Sequence, residues 1–123
     1  MLDRITVLHF SPTGGTRRAA LLLAGQIASQ VEEIDLTLPQ SPEKSFAAQD
    51  VVLVAGPVYG GRLPALMVER LRRYTGGGAR AVSAAVYGGR AYEDALVELD
   101  DLLEAQGFRV AAATALLAEH SIA

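Results

Sequence analysis

Short apolar runs and longer amphipathic stretches alternate along the chain. Arg4–Phe10 (RITVLHF) is apolar and β-branched, which predicts a first strand. Ser11–Thr16 (SPTGGT) interrupts it with turn and cap residues. From Arg17 to about Ser29, Ala20, Leu23, Ala24 and Ile27 recur at helical spacing. Val31–Leu36 predicts a weaker second strand, softened by Glu32 and Glu33, and Pro39–Gln49 is a polar connection with room for one or two helical turns. Val51–Ala55 (VVLVA) carries no charge, as expected of a parallel strand buried on both faces. Gly56–Pro64 is a glycine-rich loop. Leu63, Met67, Leu71 and Tyr74 then mark one face of a helix, with Glu69, Arg70, Arg72 and Arg73 outside and Gly76-Gly77-Gly78 as its end. Ala79–Tyr87 predicts a fourth strand and Gly88–Arg90 a loop. Ala91–Gln106 predicts a helix on Leu96, Leu99, Leu102 and Leu103, closed by Gly107, before a fifth strand at Phe108–Ala118.

Strands alternating with helices in this way predict an α/β sandwich whose parallel strands are joined by right-handed crossovers. Residues 1–123 show no repeat, linker or shift in composition, so a single domain is expected. In such sheets ligands collect beyond the carboxyl ends of the strands. The loops that begin at Ser11, Gly56 and Gly88 each follow a strand, which places all three on that edge.

Composition narrows the chemistry. Half of the chain is apolar, and eleven Lys and Arg against fourteen Asp and Glu give a net charge of −3. That balance supplies no electrostatic grip on nucleic acid. There is no cysteine, which removes disulfides, thiolate metal sites, iron–sulfur ligation and cysteine nucleophiles, and the two histidines leave little for a histidine metal site. The amino-terminal residues lack the pattern of a signal peptide, and no uncharged stretch has the length of a membrane span. A cytoplasmic protein that touches neither membrane nor nucleic acid is the expectation.

The first loop, Ser11-Pro12-Thr13-Gly14-Gly15-Thr16, joins a strand to the positive end of a helix, where backbone N–H groups and three hydroxyls suit one phosphate monoester. It has neither the lysine of a Walker A motif nor the spacing of a dinucleotide fingerprint. An ordinary helix cap explains one hydroxyl and one glycine, but not three and two. In the second loop, Pro57-Val58-Tyr59-Gly60-Gly61, the tyrosine belongs to no periodic face and is placed to lie over a flat ligand, with the glycines letting backbone amides approach the ligand's edge. In the third, Tyr87-Gly88-Gly89 and Tyr92 supply a further wall, although Tyr92 also suits the packing face of the following helix. Glu93 and Asp94 read as first-turn acids of that helix. His9, inside the first strand, reads as a packed, hydrogen-bonded histidine. Glu119 and His120 fall on the same edge as the loops, as surface or interface residues or as a proton-relay pair.

These three loops, in this order, resemble the flavodoxin superfamily. Ser11-x-Thr13-Gly14-x-Thr16 is similar to its phosphate loop, and Gly56–Gly61 and Tyr87–Asp94 are similar to its second and third flavin loops. More narrowly, PVYGGRLPALMVERLRR, VYGGRAYEDAL and the terminal AEHSIA resemble the flavodoxin-like domain that some anaerobes fuse to an iron–sulfur ferredoxin module. The resemblance implies a flavodoxin-like three-layer sandwich with strand order 2-1-3-4-5 and non-covalently bound FMN used for electron transfer. Ser11, Thr13, Gly14 and Thr16 would then hold the phosphate, Tyr59 would face one side of the ring with Gly60 and Gly61 at its edge, and Tyr87 and Gly88 would approach from the other side. A ferredoxin-like or other redox protein is the implied partner. Two alternatives are an FMN-dependent NAD(P)H:quinone-type oxidoreductase and a flavin-free scaffold. Unlike a typical flavodoxin, the chain places Arg17 and Arg18 after the phosphate loop and Arg62 and Arg90 after the glycine pairs, as solvated side chains or as charges near the ring. The resemblance implies a closing helix after the fifth strand that residues 1–123 do not supply, and a truncated domain of a longer protein is one explanation. The other explanation, and the one expected, is a homodimer or a partner chain over the first-helix face of strands three to five.

Overall fold

The computed structural model describes residues 1–39, 43–87 and 93–117. Five parallel strands form the central sheet: β1 (Leu2–His9), β2 (Ala28–Asp35), β4 (Val51–Pro57), β6 (Arg80–Tyr87) and β7 (Arg109–Leu117). Their order is β2-β1-β4-β6-β7. Counting these strands alone, that is the expected 2-1-3-4-5 order, with the chain reversing direction across the sheet between β1 and β4. A separate pair, β3 (Lys44–Ser45) with β5 (Tyr74–Thr75), lies outside it.

Helices cover the sheet unequally. Helix α1 (Gly15–Ile27) buries Ala20 and Ala24 against Ile5, Val7, Leu53, Ala55 and Ala84 on one face. On the other, α2 (Ala65–Leu71) and α3 (Glu93–Ala105) bury Met67, Leu71, Ala95, Leu99 and Leu103 against Leu8, Val52, Val54 and Ala81. Alternation along β1 and β4 assigns successive residues to the two cores, so β4 is buried from Val52 to Pro57. At the β7 edge, Ala111, Ala112 and Ala113 are exposed.

Several boundaries depart from the sequence pattern. β2 begins at Ala28, because Ala28 is already extended and pairs with Leu2, so no loop separates it from α1. β4 extends through Gly56 and Pro57, continuing its register with Ala85 and Val86. Among the described residues, 43–49 contain no helical turn. The connection instead runs through β3, held by the amide of Phe46 on the Thr75 carbonyl and by Phe46 packing on Tyr74 and Phe108. Tyr74 is buried in β5, so α2 stops at Leu71, short of the periodicity that included it. Gly76–Gly78 therefore does not end a helix. The Gly76 amide donates to Gln106 O and the Gly78 amide to Gly107 O, and a Cβ on Gly76 would meet the backbone of Gly107 and Phe108. Gly107 and Phe108 close α3 with the paired bonds of a Schellman motif, to Glu104 O and Leu103 O.

Candidate functional site

Because β1, β4 and β6 are adjacent, their carboxyl ends bring the first two loops and Tyr87 to one edge at the switch point. In the first loop Pro12 and Thr13 are exposed, Ser11, Gly14 and Gly15 are half-buried, and Thr16 is buried. Gly14, at φ 92°, turns the chain into α1, and a Cβ on Gly14 or Gly15 would meet nothing within 4 Å. Ser11 Oγ accepts from the Arg17 amide at 3.0 Å, so this hydroxyl caps the helix while keeping its own proton to donate. The Ser11 amide donates to Thr37 Oγ1 at 2.8 Å. Among the described residues no protein acceptor takes the amides of Thr13, Gly15 and Thr16. Unspent amides at the positive end of a helix, with open space above two glycines, fit a tetrahedral oxyanion.

The second loop is a different object. Tyr59 and Arg62 exchange backbone hydrogen bonds of 2.9 and 3.0 Å around Gly60 (φ 59°) and Gly61 (φ 81°). Both central residues have positive φ, as a two-residue type I′ turn demands. Tyr59 is 53% exposed at its corner. Val58, half-buried, anchors the turn by donating its amide to Val86 O, while Pro57 is buried as the last residue of β4. Tyr87 is half-buried at the end of β6. Gly88, Gly89, Arg90, Tyr92, Glu119 and His120 lie outside the described residues.

Two of the arginines after the glycines, Arg17 and Arg62, are paired with glutamates, whereas Arg18 is exposed and lines a hollow with Gly14 and Arg17. Arg17 forms a two-pronged ion pair with Glu33 of β2, 2.7 and 3.0 Å long. Arg62 does the same with Glu98 of α3, both contacts 3.2 Å, and Glu98 also accepts the Leu63 amide. Each arginine holds its partner's carboxyl below the usual glutamate range, against the opposing effect of burial. Each guanidinium is raised in return, first by that same hydrogen bond. His9 is packed and hydrogen-bonded, with Nε2 3.0 Å from Glu33 Oε1.

Glu33, Thr37 and Glu98 are the site residues that sequence reasoning missed. For Glu33 a signal existed: it and Asp35 alternate along β2, so both lie on one face of an edge strand. Thr37 and Glu98 meet the loops from 26 and 35 or more residues away, and periodicity carries no such register. Among the described residues no group of three or more His, Asp or Glu could hold a metal, and no helix is long and apolar enough to cross a membrane.

No protein-family model matches the chain, and no curated protein matches it in sequence. Solved structures do match in shape. A flavodoxin from Streptococcus pneumonia TIGR4 superposes with a TM-score of 0.69 at 18% identity, covering 98% of this chain and 88% of that one. A short-chain flavodoxin associated with a PDU bacterial microcompartment gives 0.69 at 15% identity, over 99% and 88%. The fold is flavodoxin-like. A flavoprotein from Lactobacillus acidophilus NCFM, solved in complex with FMN, shares the flavodoxin-like arrangement at a TM-score of 0.61 and 13% identity, over 92% and 93%.

Proposed function

We propose that this chain binds FMN and passes electrons between redox partners, with Ser11–Thr16 gripping the phosphate and Tyr59, Gly60, Gly61 and Tyr87 flanking the ring. The observation that carries this reading is the set of unspent amides at Thr13, Gly15 and Thr16 beyond β1, with the exposed Tyr59 turn beyond the adjacent strand β4. A flavodoxin-like fold that places both features at its switch point supports it. Bound FMN would supply the electron-accepting chemistry. The protein's share is to hold the phosphate by backbone dipoles, fix the ring's orientation and keep Arg17 and Arg62 tied to Glu33 and Glu98.

The visible absorption spectrum of the purified protein, before and after adding FMN, tests this directly. The reading expects a bound flavin with affinity tighter than micromolar. No such binding would favour the flavin-free scaffold, and rapid bleaching by NADH or NADPH would favour the quinone-type oxidoreductase over the carrier. A ferredoxin-like partner belongs to the same proposal, as does a second copy over the part of the sheet that α1 leaves toward β7, where Ala111–Ala113 are exposed. Light scattering at micromolar concentration separates monomer from dimer.

A further inference from the structure

The first loop is tied into a ring of contacts that runs through a buried histidine. Starting from Ser11, its amide donates to Thr37 Oγ1 at 2.8 Å, and the Thr37 amide donates to Asp35 Oδ1 at 2.9 Å. Asp35 Oδ1 lies 3.8 Å from His9 Nδ1, and His9 Nε2 lies 3.0 Å from Glu33 Oε1. Glu33 binds Arg17, whose amide returns to Ser11 Oγ. The ring thus closes on the residue where it began.

One link is incomplete. His9 is 1% exposed, and its Nδ1 is buried with no hydrogen-bond partner. Glu33 is an ionised carboxylate that only accepts, which assigns the Nε2 proton to the His9–Glu33 bond. In the neutral ring Nδ1 is then a bare acceptor facing another acceptor, Asp35 Oδ1. A proton on Nδ1 converts that contact into a donor–acceptor pair. Among the described residues the charged groups around the ring are Arg17 from α1 and Glu33 and Asp35 from β2; β4 presents Ala55 as its register partner, which brings no charge.

We propose that His9 is a positioning residue for the anion-binding loop: protonated at Nδ1, it draws in Asp35 and, through Thr37, sets the Ser11 amide, so that the loop holds a phosphate monoester more tightly. The protonated ring also adds a positive charge two residues before the loop, so a bound phosphate favours the proton in return. This rests on the phosphate-binding reading above, and its test separates the two.

The ratio of riboflavin to FMN dissociation constants isolates the phosphate's contribution, and its pH profile is compared between the parent and His9→Gln. The ligand phosphate's own second ionisation, near pH 6, weakens binding on acidification in both proteins, so only their difference reports on the imidazole. The expected difference is about tenfold on the acid side of the profile and vanishes on its alkaline side. Identical profiles overturn the proposal. In the ligand-free protein, the backbone resonance of Ser11 should titrate with the midpoint of the His9 ring nitrogens. Thr37→Val should abolish that response while His9 still titrates. A Ser11 resonance that stays flat while the His9 ring changes protonation, or a His9 ring that keeps one protonation state across the profile, also overturns it. If the parent binds neither flavin, the phosphate reading fails and the Ser11 titration alone decides the coupling.

Discussion

The first and second loops solve one problem in the same way and then diverge. Each is followed by an arginine that a glutamate on a neighbouring element draws off, Arg17 by Glu33 and Arg62 by Glu98, while Arg18 stays exposed. What remains to meet a ligand differs. The first loop keeps the amides of Thr13, Gly15 and Thr16 unspent at a helix N-terminus, whereas the second spends the amides of Tyr59 and Arg62 on each other and presents an exposed ring. One loop is built for charge, the other for a flat apolar surface. The ion pairs tie both loops to neighbouring elements.

The largest effect that breaks this comparison comes from putting charge where charge is recognised. Thr13→Glu adds a carboxylate on an exposed residue beside the unspent amides. FMN affinity should fall about 100-fold while riboflavin affinity changes less than twofold, because like charges at a shared site cost several kcal/mol. Equal losses for the two ligands would deny the first loop its role. In the second loop, Tyr59→Ala removes the ring without touching the turn's hydrogen bonds, which are backbone to backbone. A loss of about fivefold is expected for FMN and riboflavin alike, the scale of one aromatic stacking contact. A loss confined to FMN would reverse the assignment of the two loops.

The smallest effect sharpens the anchoring. Glu98→Gln should weaken both ligands alike, by less than about threefold, since an exposed ion pair contributes little. Its stability signature carries a sign. Arg62 lowers the Glu98 carboxyl from the ordinary value of 4.5, so the pair's contribution is fully present above that pH and is lost as pH falls through the lowered value. Parent and variant should therefore differ in thermal midpoint at pH 7 and converge below about pH 4.5. A difference that grows on acidification would contradict the ion-pair account.

Much of the architecture was readable because apolar runs and turn residues are local signals. The alternation of runs gave the five sheet strands, and the SPTGGT and YGG segments marked the loops at one edge. The misassigned positions share a different cause. Tyr74 fell at helical spacing from Met67 and Leu71, but Phe46, itself packed on Phe108, claims its ring from outside α2. Gly76–Gly78 has the composition of a helix end and serves a backbone-to-backbone contact with the turn after α3. The arginines carried a similar ambiguity: Arg62 looks solvated in sequence, and only the packing of α3 beside the second loop brings Glu98 to it. His9 was readable as a buried histidine, yet its link to Ser11 needs the register of β2 against β1, which composition does not encode.

A crystal structure of the protein with FMN measures the central claim most directly. The account predicts the phosphate oxygens about 3 Å from the amides of Thr13, Gly15 and Thr16, with the Tyr59 ring lying over the flavin. A phosphate bound away from those amides, or a flavin that leaves Tyr59 in solvent, would contradict it.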